Sequence, residues 1–192
     1  MKIYDCFMYF DEEVVVDVRL HTLNEFVDYF VIVESRFTHK GESRELKFDH
    51  KKFEKFKDKI IYIIDEEAYP QTQEIQTENS EDEKSIKLIF NAAYRENGQR
   101  NRLLKGLKEA NDEDLILISD VDEIPKLNNL NFKNINEKII LFKQDMFYYK
   151  FNLWLPNLIW TGTKACRRKN LISPQWLRNI KDRKYSFFRI DT

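Results

Sequence analysis

Glycine and proline are scarce in this sequence, with 4 of each among 192 residues. That excludes collagen-like repeats and low-complexity disorder. Cysteine is nearly absent too, with only Cys6 and Cys166. Two cysteines build neither a disulfide framework nor a zinc site. Cys6, inside an apolar run, reads as a small buried hydrophobe, and the sparse usage points to a reducing compartment. An excess of one charge is also lacking, since 32 Lys and Arg stand against 33 Asp and Glu. A net charge of −1 gives no bulk attraction to nucleic acid or to an anionic membrane. No apolar run approaches membrane-spanning length, and no signal peptide precedes the first apolar segment. Internal repeats are missing as well. What remains is a chain long enough for one domain with a sizeable core.

The most informative stretch present is Leu115-Ile116-Leu117-Ile118-Ser119-Asp120-Val121-Asp122-Glu123-Ile124-Pro125. A short apolar run bounded by polar residues reads as a buried strand. Asp120 and Asp122 then fall at its carboxyl end, where open α/β sheets place their ligands. Two hard oxygen donors there suit Mg²⁺ or Mn²⁺, with a diphosphate completing the coordination. The plain alternative is an acidic strand-to-loop turn.

Residues 3–10, 29–33 and 60–64 read as three further strands, and the second ends in Glu34-Ser35. A helix is expected from Asp11 as N-cap to about Asn24, with Val14, Val18, Leu20 and Leu23 as its apolar positions. Residues 50–57 suggest a short helix with Phe53 and Phe56 on one face. Residues 65–85, with Pro70 among them, predict a long functional or mobile connection. Residues 86–110 predict a helix that breaks at Gly98. Residues 139–142 open another strand that 146–151 extend, and residues 158–160 start one more. Ser173 and Pro174 read as the N-cap and first position of a short helix. Alternation of strands and helices implies an α/β fold, with a parallel sheet core and mixed or antiparallel later strands. A nucleotide-binding half (1–125) would precede an acceptor-side half (126–192).

Several segments together resemble glycosyltransferase family 17. They are Ile3-Tyr4-Asp5-Cys6-Phe7, the stretch from Asp28 through Glu34-Ser35, Phe37-Thr38-His39, Gln99-Arg100-Asn101, the Asp120-Val121-Asp122 segment, Trp160-Thr161-Gly162-Thr163-Lys164, and Ser173-Pro174. The resemblance runs through essentially the whole chain in the right order. It implies a single domain over 1–192 with a GT-A-type, Rossmann-like nucleotide-sugar-binding fold. It also implies a C-terminal family segment beyond the position of Thr192 that this sequence does not contain. By the same resemblance, Asp120 and Asp122 hold Mn²⁺ or Mg²⁺ across the diphosphate of a UDP-sugar, with Asp122 the direct ligand and Glu123 a supporting neighbour.

Glu34, Ser35, His39, Arg100, Asn101, Asp120, Trp160 and Lys164 are the donor-binding candidates. Glu34 and Ser35 either hydrogen-bond the nucleoside or close a satisfied turn. His39, in the loop with Thr38, either approaches the nucleotide or is solvated. Arg100 suits phosphate or base edges because its planar fork binds two acceptors; Gln99 and Arg95 come behind it, and Arg102 should point elsewhere. Trp154, Trp160, Trp176, Tyr148 and Tyr149 are either a sugar platform or core, and Trp160 is the one assigned to the site. Arg167, Arg168 and Lys169 read as solvated surface. The candidate catalytic base is Asp145; Asp191 sits at the very end.

The expected function is metal-dependent, inverting transfer of a sugar, N-acetylglucosamine first, from a UDP-sugar to a glycan acceptor, as in protein N-glycan modification. The alternatives are a weak or inactive glycosyltransferase-like binding module and a haloacid-dehalogenase-type phosphatase. The latter places its Asp-x-Asp on the first strand, whereas here it follows the fourth. An EF-hand loop lacks its glycine and downstream ligands. Expected partners are a nucleotide sugar and a glycan, with no nucleic acid and no membrane segment; oligomeric state is left open. The expected location is cytoplasmic, or Golgi-lumenal if the chain belongs to a longer anchored protein.

Overall fold

A computed structural model describes residues 1–69, 73–128, 130–149 and 152–181. Pro70, Phe151 and Asp191 lie outside the described residues. Four apolar strands, β1 (Ile3–Tyr9), β2 (Tyr29–Ser35), β3 (Ile60–Asp65) and β4 (Leu115–Ile118), form a parallel core. The chain later adds β5 (Ile139–Leu141), a hairpin of β6 (Gln144–Phe147) and β7 (Trp154–Trp160), and then β8 (Lys164–Arg167). The main sheet has six strands in the order β3-β2-β1-β4-β8-β5, with β8 antiparallel to both its neighbours. This is the mixed α/β sheet that the alternating pattern predicts. Strands from before and after residue 125 share it, so the two sequence halves pack as one sheet.

Period-two alternation splits the core into two layers. Phe7, Phe30, Ile32, Leu115 and Leu117 face helix α1 (Glu13–Leu23) and the aromatic cluster of Phe48, Phe53 and Phe56. Tyr4, Cys6, Val31, Val33, Ile116 and Ile118 face the other way, against Leu103, Leu107 and Leu177. The last three come from the 3₁₀ segment Arg102–Leu107, which follows helix α2 (Glu81–Asn101), and from helix α3 (Pro174–Asn179). Cys6 and Cys166 are buried and free. Among the described residues, no helix is long and apolar enough to cross a membrane.

Several expectations need correction. The N-cap of α1 is Glu12, not Asp11, and its Oε2 accepts the backbone N–H groups of Phe10 and Asp11. Val14 and Val18 are exposed, and α1 instead buries Val16, Arg19, Leu20 and Leu23. Only the 3₁₀ turn Glu54–Phe56 forms within 50–57. Helix α2 begins five residues before the apolar periodicity, because Ser80 and Glu83 cap each other's backbone N–H groups in a capping box. It also runs straight through Gly98. That glycine is there for close approach: a Cβ would meet Tyr69 Cε1 at 2.1 Å. Tyr69 in turn donates to Asp65 Oδ2 at 2.6 Å. Further on, Asn91 exchanges two hydrogen bonds with the Gln73 backbone, at 2.6 and 2.7 Å. Lys87 Nζ also reaches the Glu74 carbonyl at 3.0 Å and Asn79 Oδ1 at 2.8 Å, so the connection before α2 is tied to the helix repeatedly. Finally, residues 144–147 do not extend β5; they leave the sheet and pair with β7. Strand β8, which the sequence pattern does not show, fills the gap beside β4.

One fully buried ion pair links α1 to β1. Arg19 of α1 and Asp5 of β1 are both fully buried and joined by two hydrogen bonds, Nε to Oδ2 at 2.7 Å and Nη2 to Oδ1 at 2.6 Å. The guanidinium also lies 4.7 Å from the centre of the Phe7 ring.

Removing one partner of such a pair strands a buried charge. Arg19→Met is expected to cost about 3–5 kcal/mol in denaturant unfolding, and adding Asp5→Leu to recover a large part of that loss. Gly98→Ala should cost about 1–3 kcal/mol by overpacking against Tyr69 and should speed proteolytic cleavage in the connection before α2.

Candidate active site

The carboxyl ends of β1, β2 and β4 open onto one rim. The turn after β4 carries Asp120, Asp122 and Glu123, and Arg19 shapes it. Its Nη1 donates to the carbonyl oxygens of Asp120, Val121 and Glu123 at 3.1, 3.0 and 3.2 Å, and its Nη2 to Ser119 Oγ at 2.5 Å. The Glu123 carboxylate closes the turn by accepting the Asp120 N–H at 2.8 Å on Oε2. Its Oε1 accepts Trp160 Nε1 at 2.6 Å and Arg178 Nη2 at 2.9 Å. Gly162 leaves room for that carboxylate, since a Cβ there would meet Glu123 Cδ at 2.5 Å.

Asp120 is held from both sides. Arg100 Nη2 reaches Oδ1 at 3.0 Å and Arg178 Nη2 reaches Oδ2 at 2.7 Å. Burial pushes the Asp120 carboxyl up, but the combined attraction of Arg178 and Arg100 outweighs it and holds the group below the usual aspartate range. Asp122 differs. It is exposed, and its carboxylate has no hydrogen-bond or ion-pair partner among the described residues.

Two cavities meet at Asp120. The first, ≈ 650 Å³, is lined by Phe10, Ser35, Thr38, His39, Arg44, Glu96, Gln99 and Arg100. The second, ≈ 630 Å³, is lined by Asp122, Glu123, Gln144, Asp145, Met146, Phe147, Tyr149 and Trp160. Both volumes suit a ligand pocket of about 300–1,000 Å³.

The structure thus brings together Ser35, His39, Arg100 and Asp120 on one cavity and Asp120, Asp122, Asp145 and Trp160 on the other. His39 Nε2 is hydrogen-bonded to Gln99 Oε1 at 3.1 Å. Three candidates sit apart from both. Glu34 is fully buried; its carboxylate accepts Lys47 N, Phe48 N and Tyr62 Oη at 2.6, 3.1 and 2.7 Å. Asn101 accepts Gln175 N at 3.0 Å and ties α3 to α2. Lys164 is fully buried and donates to the Arg178 carbonyl at 2.6 Å. Burial, with repulsion from Arg178 and Lys181, lowers its amine to about 8.

Arg102 does point away, to Asp65 and Glu67. Trp176 packs against the second core layer, while Trp154 and Tyr148 are exposed. Arg167 reaches the Phe132 carbonyl and Lys169 pairs with Glu113, away from both cavities. Sequence reasoning missed Arg19, Arg44 and Arg178. Arg44 donates to the Ser35 carbonyl at 2.8 Å and pairs with Glu34. For Arg19 a signal existed, a charged residue at a core position of α1 facing the lone Asp5 in an apolar strand. For Arg178 there was none.

Comparison with known proteins identifies the family. The family model described as "Glycosyltransferase family 17" matches residues 1–172. The human protein named β-1,4-mannosyl-glycoprotein 4-β-N-acetylglucosaminyltransferase is 30% identical over 121 residues, which is 61% of this chain and 20% of the relative. The rat protein of the same name matches to the same extent. The matched stretch therefore spans about a fifth of these relatives' length. No solved structure matches. The family match covers nearly the whole rim that carries the two cavities, and the chain belongs to glycosyltransferase family 17.

Proposed function

We propose that this chain is a GT-A-type glycosyltransferase that binds a UDP-sugar in the first cavity and a glycan acceptor in the second. The sugar transferred is N-acetylglucosamine, the group in the relatives' name. The observation that carries the reading is the meeting of the two cavities at Asp120. The bond from sugar to phosphate must lie where donor and acceptor touch, and the acidic turn stands at that junction. Ser35, His39 and Gln99 offer polar contacts to a nucleoside. Arg100 offers a guanidinium at the diphosphate end. Trp160, its ring held by Glu123, offers an aromatic face to a sugar.

The donor set fits a hard divalent cation that is shared with its substrate. Among the described residues, no cluster of three or more His, Cys, Asp or Glu side chains could hold a metal ion. Mg²⁺ and Mn²⁺ sites commonly use one or two carboxylates and take further oxygens from phosphates. Asp122, exposed and unpaired among the described residues, would be the ligand, with Asp120 beside it. When bound, the ion would neutralise charge on the departing diphosphate. Asp145 stands on the wall of the second cavity and would take the proton from the acceptor hydroxyl. Attack from that side, opposite the diphosphate, inverts the anomeric centre. The phosphatase alternative has less support, because both oxygens of Asp120, its would-be nucleophile, are held by arginines.

Calorimetry tests the metal. Wild type should bind UDP in a Mn²⁺-dependent manner, and Asp122→Asn should abolish it, because an amide is a poor ligand for a hard cation. Unchanged Mn²⁺-dependent affinity in the variant would rule out Asp122. For Asp145→Asn, kcat should drop by about 100-fold or more with UDP affinity retained. Full transfer activity in that variant would place the base elsewhere.

A further inference from the structure

Arg178 is the site residue with no assigned task. It projects from the end of α3, and its side chain is 13% exposed. Nη2 divides itself between Asp120 Oδ2 and Glu123 Oε1, and Nη1 reaches the Gly162 carbonyl at 3.4 Å. Asp120 therefore carries two guanidinium groups, although its side chain is 39% exposed. Arg100 is shared in turn with Glu96 at 2.7 Å, so two guanidinium groups serve the carboxylates of Asp120, Glu96 and Glu123 beside the junction of the cavities.

Its carboxylate partners keep hydrogen bonds when it leaves. Without Arg178, Glu123 keeps Trp160 on Oε1 and the Asp120 N–H on Oε2. Asp120 keeps Arg100 on Oδ1. Each carboxylate keeps a hydrogen-bond donor, and the charge attraction that Arg178 gives up is what an arriving anion would replace. The backbone stays fixed meanwhile, because Lys164 Nζ grips the Arg178 carbonyl from inside the core. The guanidinium extends from an anchored base, one hydrogen bond from the residue shared by both cavities.

We propose that Arg178 is a phosphate-binding residue held in reserve on Asp120 and Glu123, and that a diphosphate arriving at the junction draws its guanidinium off the carboxylates. A guanidinium binds phosphate oxygens in pairs, and a diphosphate carries more charge than one carboxylate. The exchange also leaves Asp120 Oδ2 without a partner at the cavity wall. This inference rests on the nucleotide-sugar reading.

The test is calorimetry with uridine, UDP and inorganic diphosphate, with and without Mn²⁺, on wild type, Arg178→Lys, Arg178→Gln and Asp120→Asn. Arg178→Gln should weaken UDP and diphosphate binding by about tenfold or more, the scale of a charged hydrogen bond, and leave uridine unchanged. The lysine variant should recover part of the loss. Asp120→Asn should strengthen metal-free diphosphate binding by up to about fivefold, since it releases the competing ion pair. Equal loss for uridine and UDP in Arg178→Gln would reduce Arg178 to a structural role and overturn the proposal, as would no gain in Asp120→Asn. If wild type binds UDP and Arg178→Gln binds it equally well, the reserve role alone falls. If wild type binds neither UDP nor diphosphate under any condition, the nucleotide-sugar reading falls and takes this proposal with it.

Discussion

The contact on which the site depends is the buried guanidinium of Arg19. A charge taken out of water is costly unless every polar atom around it is satisfied. Here Asp5 takes two of its bonds, Ser119 a third, and three carbonyl acceptors of the acidic turn share the rest. One side chain thereby joins β1, α1 and the turn after β4. Two of those carbonyls have a second donor, Glu123 N–H on Asp120 and Thr163 Oγ1 on Glu123, and Arg19 ties all three together. The backbone path that carries Asp120 and Asp122 rests on this internal requirement, while Arg100 and Arg178 orient the Asp120 carboxylate.

The parallel core was legible because its strands are apolar on both faces and end in polar residues. Strand β4 and its Asp-x-Asp end were read for that reason, and so was the Ser173–Pro174 helix start. The rest was hidden where a residue breaks its type. Arg19 fills a position that pattern reading reserves for Leu or Val, so Leu20 and Leu23 were placed in the core correctly while Val14 and Val18 were put where Val16 and Arg19 belong. Strand β8 opens with a buried Lys164 and closes on Arg167, and no alternation marks it. Gly98 looked like a helix break because glycine is poor in helices; only the ring of Tyr69 explains it. Glu34, Asn101 and Lys164 belong to a matching family pattern, yet they hold backbone rather than face a cavity. A sequence pattern locates the rim but does not say which polar side chains turn inward to satisfy it. Asp145 and Trp160 were nominated from the sequence, and the fold sets both on the second cavity.

The hairpin of β6 and β7 is built differently from the rest. It is a separate two-stranded sheet, and every residue of β7 is exposed. Two strands alone are marginal in water, so this wall of the second cavity draws on its anchors. Trp160 bonded to Glu123 is one, and Gln144, whose Oε1 accepts the Thr163 N–H at 2.9 Å, is another. The wall of the first cavity, by contrast, is made from sheet ends and from the carboxyl-terminal part of α2, where Gln99 and Arg100 are buried. Local opening should therefore concentrate on the second cavity.

The shared position of Asp120 has a thermodynamic consequence. A residue that belongs to two cavities makes their occupancies interdependent. Whatever a ligand in the first cavity does to this carboxylate and its arginines alters the wall met by a ligand in the second. Linkage requires the same coupling free energy in reverse. An order of substrate addition in such a protein needs no moving lid; it can arise from one aspartate that two ligands must both accommodate.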